Sequence, residues 1–327
     1  MKVLFIGGTG NISSAVSKVC VEKGIDLHLL NRGISGASIP GVNIIKGDIN
    51  DEQFIKSSVT NQNWDVIVNW IAFTEQDVVR DYNLFQDKTK QYIFISSASA
   101  YQKPLQNPII TESTPLENPF WEYSRNKIAC ENKLNELHQK KNFPVTIVRP
   151  SLTFNTVIPV AIGGWTEYTI IDRMKKGKKI IVHGDGSSLW TITHAKDFAI
   201  GLIGLFGNGK SIGETFHITS DEILTWDQIY TYVANAAGVE PNIIHIASDF
   251  ICSIEESLIG GLLGDKSVSA IFDNSKIKSF VPEFKAVIPF PEGIKETLNW
   301  FEADPNRMIV NPETDAMIDR IISAYER

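Results

Sequence analysis

The sequence predicts an α/β fold built on a doubly wound parallel sheet, and three observations carry that prediction. Short apolar runs alternate with segments of helical periodicity through the first half of the chain. The earliest run, Val3-Leu4-Phe5-Ile6, is apolar at four consecutive positions, the pattern of a strand covered on both faces. It breaks at once into Gly7, Gly8 and Gly10, which let the backbone turn sharply from strand to helix and come close to a bound group.

Taken in order, the next element is a helix over residues 12–23, in which Ile12, Ala15, Val16, Val19 and Cys20 recur at helical spacing before Gly24 stops it. Free N–H groups at the start of such a helix favour a pyrophosphate, so Gly7, Thr9, Gly10, Asn11 and Ile12 are predicted to cradle a dinucleotide. A tight turn without ligand is the competing reading of the glycines alone. Ser13 takes the third small position of the loop, where helix packs on strand. Residues 25–30 form a second strand, and Asn31 and Arg32 follow where dinucleotide folds read the adenosine ribose. A carboxylate there would accept from a ribose 2′-OH, whereas an amide followed by a guanidinium suits a 2′-phosphate. NADP is therefore the expected cofactor and NAD the alternative; an ordinary solvated arginine in a turn competes with this reading of Arg32.

Residues 42–45 read as a third strand, with Asp48 and Ile49 where the adenine edge would lie and capping as the competing role of Asp48. A fourth strand over 64–71 ends at Ala72, placed to pass close to the dinucleotide. A helix over 75–86 leads to a fifth strand at 92–95, which runs into Ser96, Ser97 and Ser99, so hydroxyls crowd one strand end. After a polar loop over 103–119, a long helix opens at Trp121 and ends near Asn142. It carries Tyr123 and Lys127 four residues apart, on one face and one turn apart, so that the ammonium can lie near the phenol. Such a pair can act as a base; simple packing of the tyrosine is the alternative. A sixth strand at 145–148 stops at Arg149-Pro150.

Beyond Pro150 the pattern loosens. Gly163 and Gly164 precede a helix through Met174, residues 180–182 and 190–194 read as extended, 195–206 as helical, and 215–218 as a strand that rejoins the first sheet. The remainder alternates amphipathic helices with joints at Pro282, Pro289 and Pro291. The expected division is a dinucleotide-binding domain over 1–155, to which 190–222 return, and a smaller C-terminal α/β substrate-binding part made of 156–189 and 223–327.

With 327 residues, 43% of them hydrophobic, the chain can bury a large core. Its net charge of −7 gives no overall attraction to phosphate backbones or anionic membranes, so a small-molecule substrate is expected and nucleic acid is not. No apolar run approaches the roughly 20 residues of a spanning helix, and no signal segment is evident, which places the chain in the cytoplasm, with a homodimer as the assembly left open. Cys20, Cys130 and Cys252 fit neither a disulfide framework nor a metal site and read as packing residues.

With Gly7-x-x-Gly10-x-x-Ser13, Asp48, Ser97 and Tyr123-x-x-x-Lys127 in this order, the chain resembles the extended short-chain dehydrogenase/reductases, the NAD-dependent epimerase/dehydratase family. The resemblance implies a Rossmann-type fold and an NAD(P)-dependent oxidoreductase or epimerase acting on a secondary alcohol or carbonyl, such as a sugar derivative. It implies that Ser97 hydrogen-bonds the substrate oxygen, Tyr123 moves the proton as general acid/base, and Lys127 holds the nicotinamide ribose and lowers the tyrosine pKa. The sequence departs from family patterns in two places. Ala98 and Ser99 stand where sugar-nucleotide dehydratases resembling it carry an Asp-Glu pair, and Trp190 stands where epimerases usually carry the arginine that clamps a substrate diphosphate. Trp190 is accordingly expected to line the pocket of a less charged substrate, stacking on a ring. Some relatives, the chloroplast stem-loop-binding branch, bind RNA, so a catalytically silent cofactor-binding protein that interacts with RNA is the alternative function.

Overall fold

The computed structural model describes residues 1–34 and 39–327. Seven strands form one sheet: β1 (Lys2–Ile6), β2 (Asp26–Asn31), β3 (Asn43–Lys46), β4 (Val66–Asn69), β5 (Tyr92–Ile95), β6 (Val145–Pro150) and β7 (Thr215–Ile218). All pair in parallel, in the order β7-β6-β5-β4-β1-β2-β3. The strand order reverses between β1 and β4, which opens a crevice at their carboxyl ends.

Successive side chains of a strand face opposite ways, and β1 feeds a core on each face of the sheet. Val3 and Phe5 join Val16 and Cys20 of helix α1 (Asn11–Glu22) and Phe198 and Leu202 of a helix over Ala195–Gly204. Leu4 and Ile6 join the other side, with Val78 of the helix Glu75–Phe85 and Cys130 and Leu134 of the long helix Glu122–Lys141. Burial pushes the Cys20 and Cys130 thiols up to about 12, and all three cysteines are free and buried, as packing residues are.

Local chemistry sets the helix limits. Thr74 and Asp77 form a reciprocal capping box at the start of Glu75–Phe85. The long helix closes on Asn142 in the left-handed conformation, φ 55°, with His138, Lys140 and Lys141 in its last turn beside the negative end of the dipole. Glu131 of this helix is completely buried, and its carboxylate accepts from Arg149 of β6 at 2.9 Å (Nε) and 2.5 Å (Nη2) and from the Ser96 hydroxyl.

The structure departs from the sequence reading in several elements. A short helix over Glu52–Ser58, capped by Asp51, lies where none was expected. β4 is shorter, because Trp64 leaves the strand and only bridges Thr89. The 103–119 loop contains a strand, Ile109–Ile110, paired with Ile271–Phe272. The extended 190–194 stretch divides: Leu189–Trp190 pairs with Leu224–Thr225, and Ile192–His194 with Leu152–Phe154. Residues 215–218 do rejoin the sheet, as β7 on the edge beside β6. Among the described residues no helix is long and apolar enough to cross a membrane.

Replacing Glu131 by Leu would leave the Arg149 guanidinium buried without its carboxylate. The expected loss is about 3–5 kcal/mol of unfolding free energy, read as a fall in the urea midpoint at unchanged slope; a loss below 1 kcal/mol would show that the pair does not hold the helix to the sheet.

Candidate functional site

Two adjoining cavities of about 520 Å³ each run across the strand carboxyl ends and share Gly7, Thr9, Ile71 and Phe73 as common wall. Together they make one groove over the point where the strand order reverses.

At its centre, Gly7 and Gly8 have φ of +96° and +110°, conformations that side chains resist. A Cβ on Gly8 would stand 2.7 Å from Leu29 Cδ2. The Gly10 N–H donates to Ser13 Oγ at 2.9 Å, so the serine at the third small position braces the loop. No acidic residue lies in the first turn of α1, which leaves its N-terminal N–H groups open to an anion. Asn11 ties this loop to the strand beyond β6: its Nδ2 donates to the Thr153 carbonyl at 2.8 Å and its Oδ1 accepts from the Thr156 N–H at 3.0 Å. Thr9, Asn11 and Ile12 all line the groove.

At one end lie Asn31, Arg32, Asp48 and Ile49, brought together as the sequence predicted. Asn31 Oδ1 accepts from the Gly33 N–H at 3.0 Å and Asp48 Oδ1 from the Asn50 N–H at 2.9 Å, so each also closes its own turn. The cap of the following helix is Asp51 and not Asp48. Arg32 is exposed and makes no ion pair among the described residues. Arg80, unforeseen from sequence, also lines this end, held by Asp77 and Asp81.

At the other end lie Ser97, Tyr123 and Lys127. The Ser97 and Ser99 hydroxyls are 2.9 Å apart and Ser124 donates to Ser99 at 2.7 Å, a short hydroxyl chain beneath the groove. Burial pushes the Tyr123 phenol up, the neighbouring Ser97 hydroxyl draws it partly back, and the Asp265 charge raises it again. The Lys127 ammonium donates to the Ala72 carbonyl at 2.7 Å and to that of Ile95 at 2.9 Å, and lies 5.8 Å from the Tyr123 ring centroid. Burial, only partly offset by the charges of Cys130, Glu131 and Asp77, lowers its pKa to about 8.

Two expectations are corrected. Ala72 is fully buried and turns away from the groove, which Ile71 and Phe73 line in its place; its carbonyl instead anchors Lys127. Trp190 does not line the groove: it is 2% exposed, packs on Trp226 with ring centroids 5.6 Å apart, and belongs to the core beneath the C-terminal segments. The wall assigned to it is made by Trp121, Trp165, Asp265 and Lys266. Trp121 adjoins Tyr123 in sequence and could have been inferred; nothing local marks the other three.

A parallel sheet with a glycine loop at its switch point and a Tyr-x-x-x-Lys helix beside it defines a Rossmann-type protein of the short-chain dehydrogenase/reductase class. The chain belongs to the NAD dependent epimerase/dehydratase family, whose model matches residues 3–218. The chloroplast stem-loop binding protein of 41 kDa b of Arabidopsis thaliana is 29% identical over 259 residues, covering 75% of this chain; the chain spans 65% of that relative's length. An epimerase from Methanothermobacter thermautotrophicus superposes with a TM-score of 0.76 at 16% identity, covering 94% of this chain and 93% of its own. A dTDP-glucose 4,6-dehydratase from Bacillus anthracis, solved in complex with NAD, gives 0.73 at 18%, covering 94% and 98%. At such identities the two structures share the fold.

The low pKa of Lys127 has a stability consequence of definite sign. Between pH 8 and about 10.4 the unfolded chain keeps this proton while the folded chain loses it, so the group's contribution to unfolding free energy rises with pH. Relative to Lys127→Met, the wild type should gain up to about 1.4 kcal/mol per pH unit across that window. Urea unfolding of both proteins from pH 7 to 10 measures the difference, and a flat difference would mean an ordinary lysine pKa.

Proposed function

We propose that the chain is an NAD(P)-dependent oxidoreductase or epimerase that moves hydride at a secondary alcohol or carbonyl of a small molecule, with Tyr123 as general acid/base. The observation that supports this is the placement of the glycine loop, Ser97, Tyr123 and Lys127 along one groove. The groove fits a dinucleotide: the backbone turn at Gly7 and Gly8 leaves no room for a Cβ on Gly8, and the α1 terminus offers N–H groups without a competing carboxylate. Gly7, Thr9, Gly10, Asn11 and Ile12 would hold the pyrophosphate, Asn31, Arg32, Asp48 and Ile49 the adenosine, and Tyr123 and Lys127 the nicotinamide ribose. When bound, the nicotinamide supplies the hydride donor or acceptor.

The side chains divide the remaining work. The Ser97 hydroxyl, oriented by Ser99, donates to the substrate oxygen and helps place it against the phenol. With its pKa raised by burial, Tyr123 is protonated at neutral pH, the form that can protonate a developing alkoxide. The reverse transfer requires positive charge beside the phenol, and the Lys127 ammonium, immobilised by two carbonyls, is one source of it. Elimination by the acid-base route of sugar-nucleotide dehydratases lacks its residues, since Ala98 and Ser99 occupy those positions.

Tyr123→Phe removes only the phenolic oxygen. It should retain cofactor affinity, measured by calorimetry, and lose turnover by at least about a hundred-fold; wild-type rates would move the proton transfer to another residue. For cofactor choice, the Arg32 guanidinium is accessible to a 2′-phosphate, a charge-assisted contact worth about 1.5–3 kcal/mol. NADP(H) should bind about ten- to a hundred-fold more tightly than NAD(H), and Arg32→Ala should remove that preference. Equal binding of both cofactors by the unmutated protein would overturn it.

RNA interaction is the second reading, favoured by the stem-loop binding relative. A gel-shift titration separates it from the first: stem-loop binding that persists at physiological salt would raise it, because non-specific attachment to phosphates falls steeply with salt.

A further inference from the structure

Beyond Tyr123 the groove is walled by aromatic rings. Ile71, Phe73 and Trp165 are 43%, 46% and 38% exposed, and all three of these large apolar side chains line the same cavity. Trp121 lines it beside them, and the Tyr123 ring lies 5.0 Å from that of Trp121 and 6.3 Å from that of Phe73, centroid to centroid. Single apolar side chains on a surface are ordinary, whereas a contiguous set in a cavity marks a place where apolar surface is covered by a ligand.

These rings are fixed in place. The Trp165 indole N–H donates to the Val160 carbonyl at 2.9 Å, so its polar edge is already satisfied and its remaining surface is apolar. Trp121 stands against Gly260, where a Cβ would come within 2.4 Å of its Cδ1. The Lys266 ammonium lies 5.2 Å from the Trp165 ring centroid and 6.0 Å from that of Trp121, which ties the two indoles to one side chain. Rings immobilised before a ligand arrives lose little freedom when it binds.

The charges at this end are matched among themselves. Among the described residues, the charged side chains that line it are Lys127, Asp265 and Lys266. Lys127 donates to two backbone carbonyls beside the phenol. Lys266 is buried and donates to Asp265 Oδ2 at 2.9 Å, a close pair in which each charge already has its partner. Lys103 lies behind the lining, where its ammonium donates to the Asp265 backbone carbonyl at 3.1 Å and faces the Trp190 ring at 5.7 Å. Arg149 is bound to Glu131. A carboxylate or diphosphate set between the indoles would therefore be withdrawn from water without a free cation, a cost that an uncharged ring does not meet.

We propose that this end of the groove takes the aromatic ring of an uncharged ketone or secondary alcohol, seated against Trp165 and Trp121 with its reacting carbon beside Tyr123. This rests on the oxidoreductase reading above and names the class of its substrate. Ser97 and Tyr123 offer two hydroxyl donors at the groove, and a carbonyl oxygen has two lone pairs to accept them, so the single oxygen of such a compound is fully served.

The test uses the full chain saturated with the reduced form of whichever of NADP or NAD it binds, with which an alcohol cannot turn over. Three probes of similar size share the carbinol: 1-phenylethanol, 1-cyclohexylethanol and mandelate. Ligand-observed magnetic resonance titration should show 1-phenylethanol binding about two- to ten-fold more tightly than 1-cyclohexylethanol, the margin that ring contacts add beyond buried area. It should bind at least about ten-fold more tightly than mandelate, whose carboxylate finds no partner. Trp165→Leu should bring 1-phenylethanol down to the level of 1-cyclohexylethanol without changing cofactor affinity, and Trp165→Phe should keep most of the preference. Binding of 1-phenylethanol no tighter than either other probe, binding of none of the three, a ring preference that survives Trp165→Leu, or UDP-glucose binding more tightly than 1-phenylethanol would overturn the proposal. The wild-type comparison stands even if the leucine variant fails to fold. Failure to bind either cofactor in the first step would instead sink the oxidoreductase reading, so the two failures are distinguishable.

Discussion

The site depends on one buried ion pair. Glu131 sits in the middle of the long helix that carries Tyr123 and Lys127, and its carboxylate receives three donors, two from Arg149 on β6 and one from Ser96 at the end of β5. Ser96 precedes Ser97, so the same contact that seats the helix also sets the strand end bearing the hydroxyls. Apolar packing of equal volume could be as stabilising, since desolvating two charges offsets much of their attraction. It would not be as directional. A forked guanidinium on a carboxylate admits one orientation, and here it joins the helix that carries the phenol to β6. The stacking of Arg149 on Tyr101, 4.6 Å from its centroid, closes the remaining freedom.

The parts of the fold that could be read from the sequence are those whose information is local. Strands covered on both faces are continuous apolar runs, and β1, β4 and β5 were legible for that reason, whereas 215–218 reads Thr-Phe-His-Ile and alternates. The helix Glu52–Ser58 was not, because it buries Ile55 alone and so leaves no periodic stripe. The groove shows the same division. The glycine loop and the four-residue spacing of Tyr123 and Lys127 are patterns within one turn of chain. Ala72 was misplaced by a single register: Ile71 and Phe73, on either side of it, face the groove, and the residue between them turns inward.

What local pattern could not supply is the wall beyond Tyr123. Its Asp265 and Lys266 come from a segment more than a hundred residues downstream, brought in by tertiary contacts such as the Asn118 amide donating to the Gly264 carbonyl at 2.7 Å. The approach is closer than side chains permit: a Cβ on Gly260 would stand 2.4 Å from Trp121 Cδ1. Gly260 and Gly264 both face Trp121, where the chain passes from a helical turn over Ile259–Gly261 into a π-type turn over Leu262–Lys266. Trp190, by contrast, is equally aromatic and sits four residues before His194 in a stretch read as extended, yet its strand pairs with Leu224–Thr225 and the ring goes to the core.

Net charge is a poor guide to such a groove. The chain as a whole is acidic, at −7, while the groove mixes both signs, with Arg32, Arg80, Asp48 and Asp77 at one end and Lys127, Lys266 and Asp265 at the other. The difference lies in what solvates the buried ammonium groups. Lys127 is held by two backbone carbonyls, and Lys103 by a third, with a carboxylate only at the longer distance of 3.9 Å. Carbonyl dipoles stabilise a cation without cancelling its charge, so the field still reaches into the cavity, where low dielectric preserves it. Burial lowers the pKa of both lysines, the direction expected of ammonium groups withdrawn from water.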